Sequence, residues 1–314
     1  MQEARQMPAQ GTILDWVQRA AATMEAAGLY FGHGTANAFD EACWMVTYVL
    51  KLRPDFDAAS MQLKPRPAAI AELNQLLDQR IASRKPLAYL IGEAWFAGLR
   101  FDVDEHTLVP RSPLAELIAG GLDPWLDLDQ PLQVLDMGTG SGCIAVALAR
   151  HWPKLDIDAV DISEHALDVA ERNIQRLGVA DRVHARRSDL FAALENKRYD
   201  LIISNPPYVP EASMQRLPDE YRHEPAMALA AGRDGLDIVR RLLSRAPDYL
   251  APHGVLVVEV GEASAAAGRL LADTEAVWLE FEHGGEGVFL IDRAACLRFK
   301  AQAVASYSNQ SKKS

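Results

Sequence analysis

The segment Asp200-Leu201-Ile202-Ile203-Ser204-Asn205-Pro206-Pro207-Tyr208-Val209-Pro210 carries the strongest chemical signal in this sequence. Consecutive prolines directly after an apolar run remove backbone donors and fix φ at two successive residues. The carbonyl of Pro206 is then held beside the Asn205 side chain, and the two form an acceptor pair at a strand's C-terminal end. A planar –NH₂ group has two hydrogens to place on such a pair. Pro207 stiffens the exit, and Tyr208 offers a flat π-face to the planar group or to an incoming methyl cation.

A second segment, Val134-Leu135-Asp136-Met137-Gly138-Thr139-Gly140-Ser141-Gly142-Cys143-Ile144, leaves a strand, turns on glycines and opens a helix. Glycines let backbone pass close beneath a ligand, and the helix N-terminus offers unpaired N–H groups. Such loops serve dinucleotides and S-adenosylmethionine alike. The dinucleotide fingerprint wants a third glycine three positions after the second, where this chain has Cys143. The acid two residues ahead of the glycines, Asp136, suits an ammonium and would repel a pyrophosphate. Asp161, at the end of the next strand, stands where a doubly wound fold binds two ribose hydroxyls. Asp189 closes a third strand and can accept from the exocyclic amine of adenine, with Leu190 or Ile162 covering a ring face. Gly138, Thr139, Gly140, Ser141, Gly142, Asp136, Asp161, Ile162, Asp189, Leu190 and Asn205 are therefore the expected cofactor site.

These residues need a scaffold that gathers strand ends. Short apolar runs at 132–136, 156–161, 182–187, 201–204 and 255–260 alternate with helical stretches at 143–150, 163–177 and 236–249. That alternation predicts an α/β fold with a parallel, doubly wound, Rossmann-like sheet. Runs at 276–282 and 287–291, separated by His283-Gly284-Gly285-Glu286, predict an antiparallel hairpin at the sheet's edge. The first third reads differently. Thr12, with Asp15 three residues on, caps a helix ending near Gly28; Asn37 caps a second, and Pro67 suits the first turn of a third. The expected organisation is a small helical domain over 1–90, a β-hairpin linker over 91–114, a catalytic domain over 115–300 and a mobile tail over 301–314.

The 314 residues are 49 % hydrophobic and 24 % charged, which excludes wholesale disorder. No stretch approaches the length of a membrane span, and Met1-Gln2-Glu3-Ala4-Arg5 lacks the layout of a signal peptide. Cys43, Cys143 and Cys296 lie far apart and form no metal-ligand spacing, so a cytoplasmic protein with reduced thiols and no metal is expected. The net charge of −11 is unevenly placed. Residues 1–100 hold ten basic and ten acidic side chains, whereas 101–314 hold twenty-two against thirty-three. Such a surface repels a phosphate backbone and attracts a basic partner.

Asn-Pro-Pro-Tyr after the fourth strand resembles methyltransferases acting on nitrogens conjugated to a planar system: adenine, guanine or the glutamine amide. Glu224-Pro225-Ala226-Met227-Ala228-Leu229 followed by Gly232-Arg233-Asp234-Gly235, and Pro86-Leu87-Ala88-Tyr89-Leu90-Ile91-Gly92 leading to Val109-Pro110-Arg111, are similar to the HemK family of protein-glutamine methyltransferases. The likeness spans roughly 12–295. Phe31-Gly32-His33-Gly34-Thr35, Tyr221-Arg222-His223-Glu224-Pro225 and Phe281-Glu282-His283-Gly284-Gly285-Glu286-Gly287-Val288 resemble its ribosomal-protein branch. Pro110-Arg111-Ser112-Pro113-Leu114-Ala115-Glu116 departs from the Pro-Arg-Pro-Asp-Thr-Glu of the release-factor branch. The resemblance implies a class I fold, S-adenosylmethionine as cofactor and large-subunit ribosomal protein L-three as substrate. It also implies that Arg111 lies near the active-site mouth, and that His33, with Glu224, Asn205, Pro206 and Tyr208, contacts substrate. His223 and Glu224 are expected to orient rather than act as bases, and no strong base is expected beside Asn205. The rivals are release-factor methylation, nucleic-acid adenine or guanine N-methylation, a nicotinamide-dependent oxidoreductase, and a non-catalytic nucleotide-binding module. The oxidoreductase and the binding module leave the Asn205–Tyr208 loop unused.

Overall fold

The computed structural model describes residues 11–53, 57–282 and 284–310. The N-terminal residues weighed for a signal peptide, His283 of the expected turn, and the last four residues of the expected tail lie outside the described residues. The chain forms two compact units, Met1–Ala94 with Leu217–His223, and Trp95–Arg216 with Glu224–Ser314.

The first unit contains α1 (Ile13–Ala26), α2 (Ala38–Leu50), α3 (Pro67–Ser83) and α4 (Leu87–Ile91). Thr12 and Asp15 form a reciprocal capping box on α1, which buries Ile13, Trp16, Val17, Ala20 and Met24. Asn37 accepts the Asp40 N–H at 2.9 Å to cap α2, and Pro67 occupies the first turn of α3, where a missing N–H costs nothing.

Charge is buried in this unit. Arg80, fully buried, donates from Nε to Glu41 Oε1 at 2.7 Å. Glu220, also fully buried, lies 2.9 Å from Arg84 Nη2 and 3.7 Å from Arg80 Nη1, and accepts the Tyr30 N–H at 3.0 Å. Tyr221 of the same short segment packs on His33, ring centroids 4.5 Å apart. Leu217–His223 is thus held by Arg80 of α3, by Arg84 just after it and by the loop between α1 and α2, although sequence order assigns it to the C-terminal domain.

The second unit opens with β1 (Glu93–Phe96), whose start lies at the seam, and β2 (Leu99–Asp102), joined by a two-residue turn at Ala97 and Gly98 with φ of 48° and 74°. Both positive values match the twist a tight hairpin requires. There follow α5 (Leu114–Gly120), β3 (Gln133–Met137), α6 (Cys143–His151), β4 (Asp156–Asp161), α7 (Glu164–Arg176), β5 (Val183–Arg187), β6 (Tyr199–Ser204), α8 (Glu211–Met214), α9 (Asp237–Arg245), β7 (Leu250–Glu259), α10 (Ser264–Leu270), β8 (Val277–Leu279), β9 (Val288–Asp292) and α11 (Arg293–Gln310).

The seven-stranded sheet has the order β5-β4-β3-β6-β7-β9-β8. The first five strands run parallel, and β9 enters antiparallel between β7 and β8. Order reverses between β3 and β6, so the crevice beyond their carboxyl ends is where an open α/β sheet binds ligands.

Three boundaries differ from the sequence pattern. The helix expected over 236–249 stops at Arg245, where Pro247 forces a 3₁₀ turn. The edge strand expected over 276–282 stops at Leu279, and the Glu282 N–H donates to Glu116 Oε1 at 2.7 Å instead of joining the ladder. The expected tail is helical as far as Gln310, because α11 begins on buried Ala295, Cys296 and Phe299 and runs on from that anchor.

Removing one partner of a buried ion pair leaves the other uncompensated, which costs about 3–5 kcal/mol. Glu220→Ala should therefore lower the urea midpoint of the first unit markedly and expose 217–223 to protease, whereas Asp219→Ala, whose side chain is half exposed, should do neither.

Candidate active site

The carboxyl ends of β3, β4 and β6, with the segments at 106–112, 188–190 and 225–229, enclose a cavity of about 310 Å³, contained wholly in the second unit. Its walls include Gly138, Thr139, Gly140 and Ser141 from the glycine turn, Asp161 and Ile162 after β4, and Asp189 and Leu190 after β5. The opposite side is built by Asn205, Pro206, Pro207 and Tyr208, with Arg111 from the segment after β2. Residues from His106 to Arg241 thus share one pocket.

Local hydrogen bonds explain why. The Gly138 and Thr139 N–H groups both donate to Val160 O, at 2.8 and 2.9 Å, drawing the turn over the end of β4. Asp161 Oδ2 accepts the Gly140 N–H and Oδ1 the Ser163 N–H, each at 2.9 Å. Burial raises the Asp161 carboxyl above the usual aspartate range, while those backbone donors pull the other way. Asp189 is half exposed and pairs with Arg241 Nη2 at 2.7 Å, a cavity residue on α9 that the sequence pattern did not single out. Beyond Tyr208 the loop is tied to 229–232: the Val209 N–H donates to Leu229 O at 2.8 Å and the Ala231 N–H to Val209 O at 3.0 Å. Met227 of that region lines the cavity while 57 % exposed, an apolar wall open to solvent.

Four expected ligands stand elsewhere. Asp136 is fully buried beneath the glycine turn and does not line the cavity; its Oδ2 accepts from Thr139 Oγ1 at 2.6 Å and from the Ala145 N–H at 3.1 Å. It therefore fastens the turn to the first turn of α6. Its Oδ1 is buried without a hydrogen-bond partner. Gly142 is also off the cavity wall, and a Cβ there would lie 3.2 Å from Ala170 Cβ, so it lets α6 and α7 approach closely. Glu224 is buried and grips Arg111 with both oxygens, at 2.5 and 2.8 Å, while Oε1 also accepts the Val109 N–H at 3.2 Å. A carboxylate so occupied orients Arg111 and has no capacity to act as a base. His33 is only 2 % exposed and belongs to the first unit, packed on Tyr30 and Tyr221, which does not suit a contact with a protein substrate. His223 is exposed and bonds Ser83 O at 3.1 Å through Nε2.

A carboxylate that the sequence pattern did not single out stands beside Asn205. Glu259, the last residue of β7, is 4 % exposed, and its carboxylate meets Ser112 Oγ, Tyr208 OH at 3.4 Å and the Asn205 amide. One signal was available: Glu259 is the lone acid ending the apolar run 255–260, as Asp136 and Asp161 end theirs.

The residues fit a sulfonium–ammonium ligand carrying a ribose and a planar base. The cavity presents Asp161 and Asp189 as acceptors, and Ile162 is 47 % exposed at the wall.

Burial raises the Asp136 carboxyl from 3.8 to about 7, with Asp161 adding a smaller push and Thr139 and the Ala145 N–H opposing. The folded state then keeps a proton that the unfolded chain has already released. Its contribution to stability is present below 3.8 and is lost as pH rises toward about 7. In Asp136→Asn this loss should vanish, so the melting temperature of wild type relative to the variant should fall across that window and level off above it.

Residues 124–218 match the family model described as Methyltransferase small domain. A Bordetella pertussis (strain Tohama I) protein named ribosomal protein uL3 glutamine methyltransferase is 45 % identical, covering 90 % of this chain and 95 % of its own. Proteins of the same name from Francisella tularensis and Xanthomonas campestris are 40 % and 44 % identical, covering 92 % and 90 % of this chain and 92 % and 91 % of theirs. The fold is also similar to a solved structure titled hMettl16 catalytic domain in complex with MAT2A 3'UTR hairpin 6, at 16 % identity and a TM-score of 0.50, covering 78 % of this chain and 90 % of that one. With the parallel order β5-β4-β3-β6-β7 and the inserted β9, the architecture is that of a class I methyltransferase. On the similarity and coverage of these relatives, the chain belongs to the family of ribosomal protein uL3 glutamine methyltransferases.

Proposed function

We propose that this chain methylates the side-chain amide nitrogen of a glutamine in ribosomal protein uL3, using S-adenosylmethionine. One observation carries the proposal: Asn205, Pro206, Pro207 and Tyr208 wall the same cavity as the glycine turn and the carboxylates Asp161 and Asp189. The cofactor bound there supplies an electrophilic methyl group.

The chain's own work is on the nucleophile. An amide nitrogen is a poor one, because its lone pair is delocalised into the carbonyl. Asn205 Oδ1 and the Pro206 carbonyl accept both amide hydrogens, which fixes the nitrogen in place and stabilises the positive charge it acquires. Tyr208 flanks the planar group, and Met227, Leu229 and Pro225 provide the apolar walls for the methylenes of glutamine. Arg111 is held by Glu224 at the cavity, where its donors can meet a substrate carbonyl. No strong base is needed while nitrogen attacks: the N–C bond would form as the S–C bond breaks, and the strongly acidic protonated amide then gives its proton to water.

The cofactor side is divided among Asp161 for the ribose, Asp189 with Leu190 and Ile162 for the base, and Gly138–Ser141 backbone for the methionine portion. The acidic surplus beyond residue 100 favours a basic protein as partner and disfavours nucleic acid as the primary target. Encounter with such a substrate is fast and salt-sensitive, and the cytoplasm is the compartment where both partners meet.

Two measurements test this. Purified uL3, a release factor and naked ribosomal RNA are offered together with methyl-labelled S-adenosylmethionine, and the product is mapped by mass spectrometry. One methyl group on a uL3 glutamine is the expected result; label in RNA or release factor alone rejects the proposal. Asn205→Ala should lower turnover by about 10²–10³-fold, with cofactor affinity by calorimetry little changed. Asp161→Ala should weaken cofactor affinity first.

A further inference from the structure

Glu259 lies outside the cavity wall, yet its carboxylate is the hub behind the Asn205–Tyr208 loop. In the parallel pairing of β6 with β7, Ser204 stands opposite Val258, so the next residues, Asn205 and Glu259, are brought side by side. The position is built around this carboxylate. The Leu114 N–H donates to Ser112 Oγ at 3.1 Å, which leaves the Ser112 hydroxyl hydrogen to point at Glu259 Oε2. Tyr208 OH faces Oε1 at 3.4 Å. Gly261, at φ 40°, lets the Tyr208 ring lie against the backbone; a Cβ there would stand 2.6 Å from the ring.

An ionised carboxylate only accepts hydrogen bonds, whereas a side-chain amide has a donor end and an acceptor end. The Asn205 amide must therefore turn its NH₂ toward Glu259, and its oxygen faces the opposite way. We infer that Glu259 is a positioning residue that locks the Asn205 amide with Oδ1 toward the cavity, so that the loop presents two acceptors to the substrate –NH₂. The inference rests on the proposed amide-methylating function and assigns it a determinant outside the first contact layer. Glu259 does not act as a base: it is buried behind the loop, and Ser112, Tyr208 and Asn205 already engage its oxygens.

The lock depends on charge, because a protonated carboxyl can donate and accept the wrong end of the amide. The groups facing Glu259 are the Ser112 and Tyr208 hydroxyls, the Asn205 amide and the Arg111 guanidinium, itself paired with Glu224. Burial raises the Glu259 carboxyl above the usual glutamate range, while Ser112, Arg111, Tyr208 and Asn205 draw it back.

The test measures kcat against pH with the full chain, saturating S-adenosylmethionine and uL3. Wild type should lose kcat at the acid end, where Glu259 takes up its proton. Glu259→Gln keeps the volume but offers both amide ends, so its kcat should fall by about 10–100-fold with KM for uL3 and cofactor affinity near wild type, and its share of the acid limb should disappear. Ser112→Ala removes a donor to the charged form, and should move that limb to higher pH. Neither substitution touches Asp136 or Asp161, so whatever their carboxyls contribute to the profile remains in every variant. An unchanged kcat and pH profile in Glu259→Gln overturns the inference while leaving the function intact. If that variant does not fold, an acid limb left in place by Ser112→Ala overturns it. A wild-type enzyme that fails to methylate a uL3 glutamine overturns the function, and this inference with it.

Discussion

A buried carboxylate must be met by donors, and in this protein that requirement shapes the glycine turn, the Asn205–Tyr208 loop and the segment after β2. Asp136, Asp161 and Glu259 sit at or next to the carboxyl ends of β3, β4 and β7. Each is met by chain from elsewhere: Thr139 and the Ala145 N–H, the Gly140 and Ser163 N–H groups, and the Ser112 and Tyr208 hydroxyls, respectively. The glycine turn bends toward two of these acids, and the segment after β2 reaches back to the third. A strand-end acid in a low-dielectric crevice is costly alone and strongly orienting when satisfied.

The same economy explains how a site rich in carboxylates can serve a reaction that wants none as a base. Glu224 spends its oxygens on Arg111 and the Val109 N–H, and Glu259 spends its own on Ser112 and its loop neighbours. In the proposed reaction, what remains for the substrate is a set of neutral acceptors with fixed direction. Such a site accelerates by orientation and by pre-arranged dipoles, with no reorganisation required when charge develops on nitrogen.

The glycine turn was legible because its glycines, Asp136 and the opening of α6 are contiguous, and the Asn205–Tyr208 loop because two prolines and an asparagine constrain one another locally. Strand positions followed from apolar runs flanked by acids. Glu259 was hidden for the opposite reason: its partners Ser112 and Tyr208 lie 147 and 51 positions away, and no local pattern announces them. The same holds for Arg80 with Glu41 and Glu220. Asp136 shows a subtler failure. Its residue type and place were read correctly, but strand pleat and the Thr139 hydroxyl turn its carboxylate under the glycine turn rather than into the cavity.

The heptapeptide Leu217–His223 makes the boundary between the two units a matter of topology as well as sequence. The chain crosses from one unit to the other near residue 94, again at 216, and back at 223. An N-terminal unit inherited by recombination as a single contiguous piece would arrive without Glu220, and Arg80 and Arg84 would lack that counter-charge. The recipient would in turn carry a stretch evolved for a different host. Exchange of the N-terminal unit as a cassette therefore carries the cost of an uncompensated buried charge. Substitution in place avoids that cost when the heptapeptide and α3 change together.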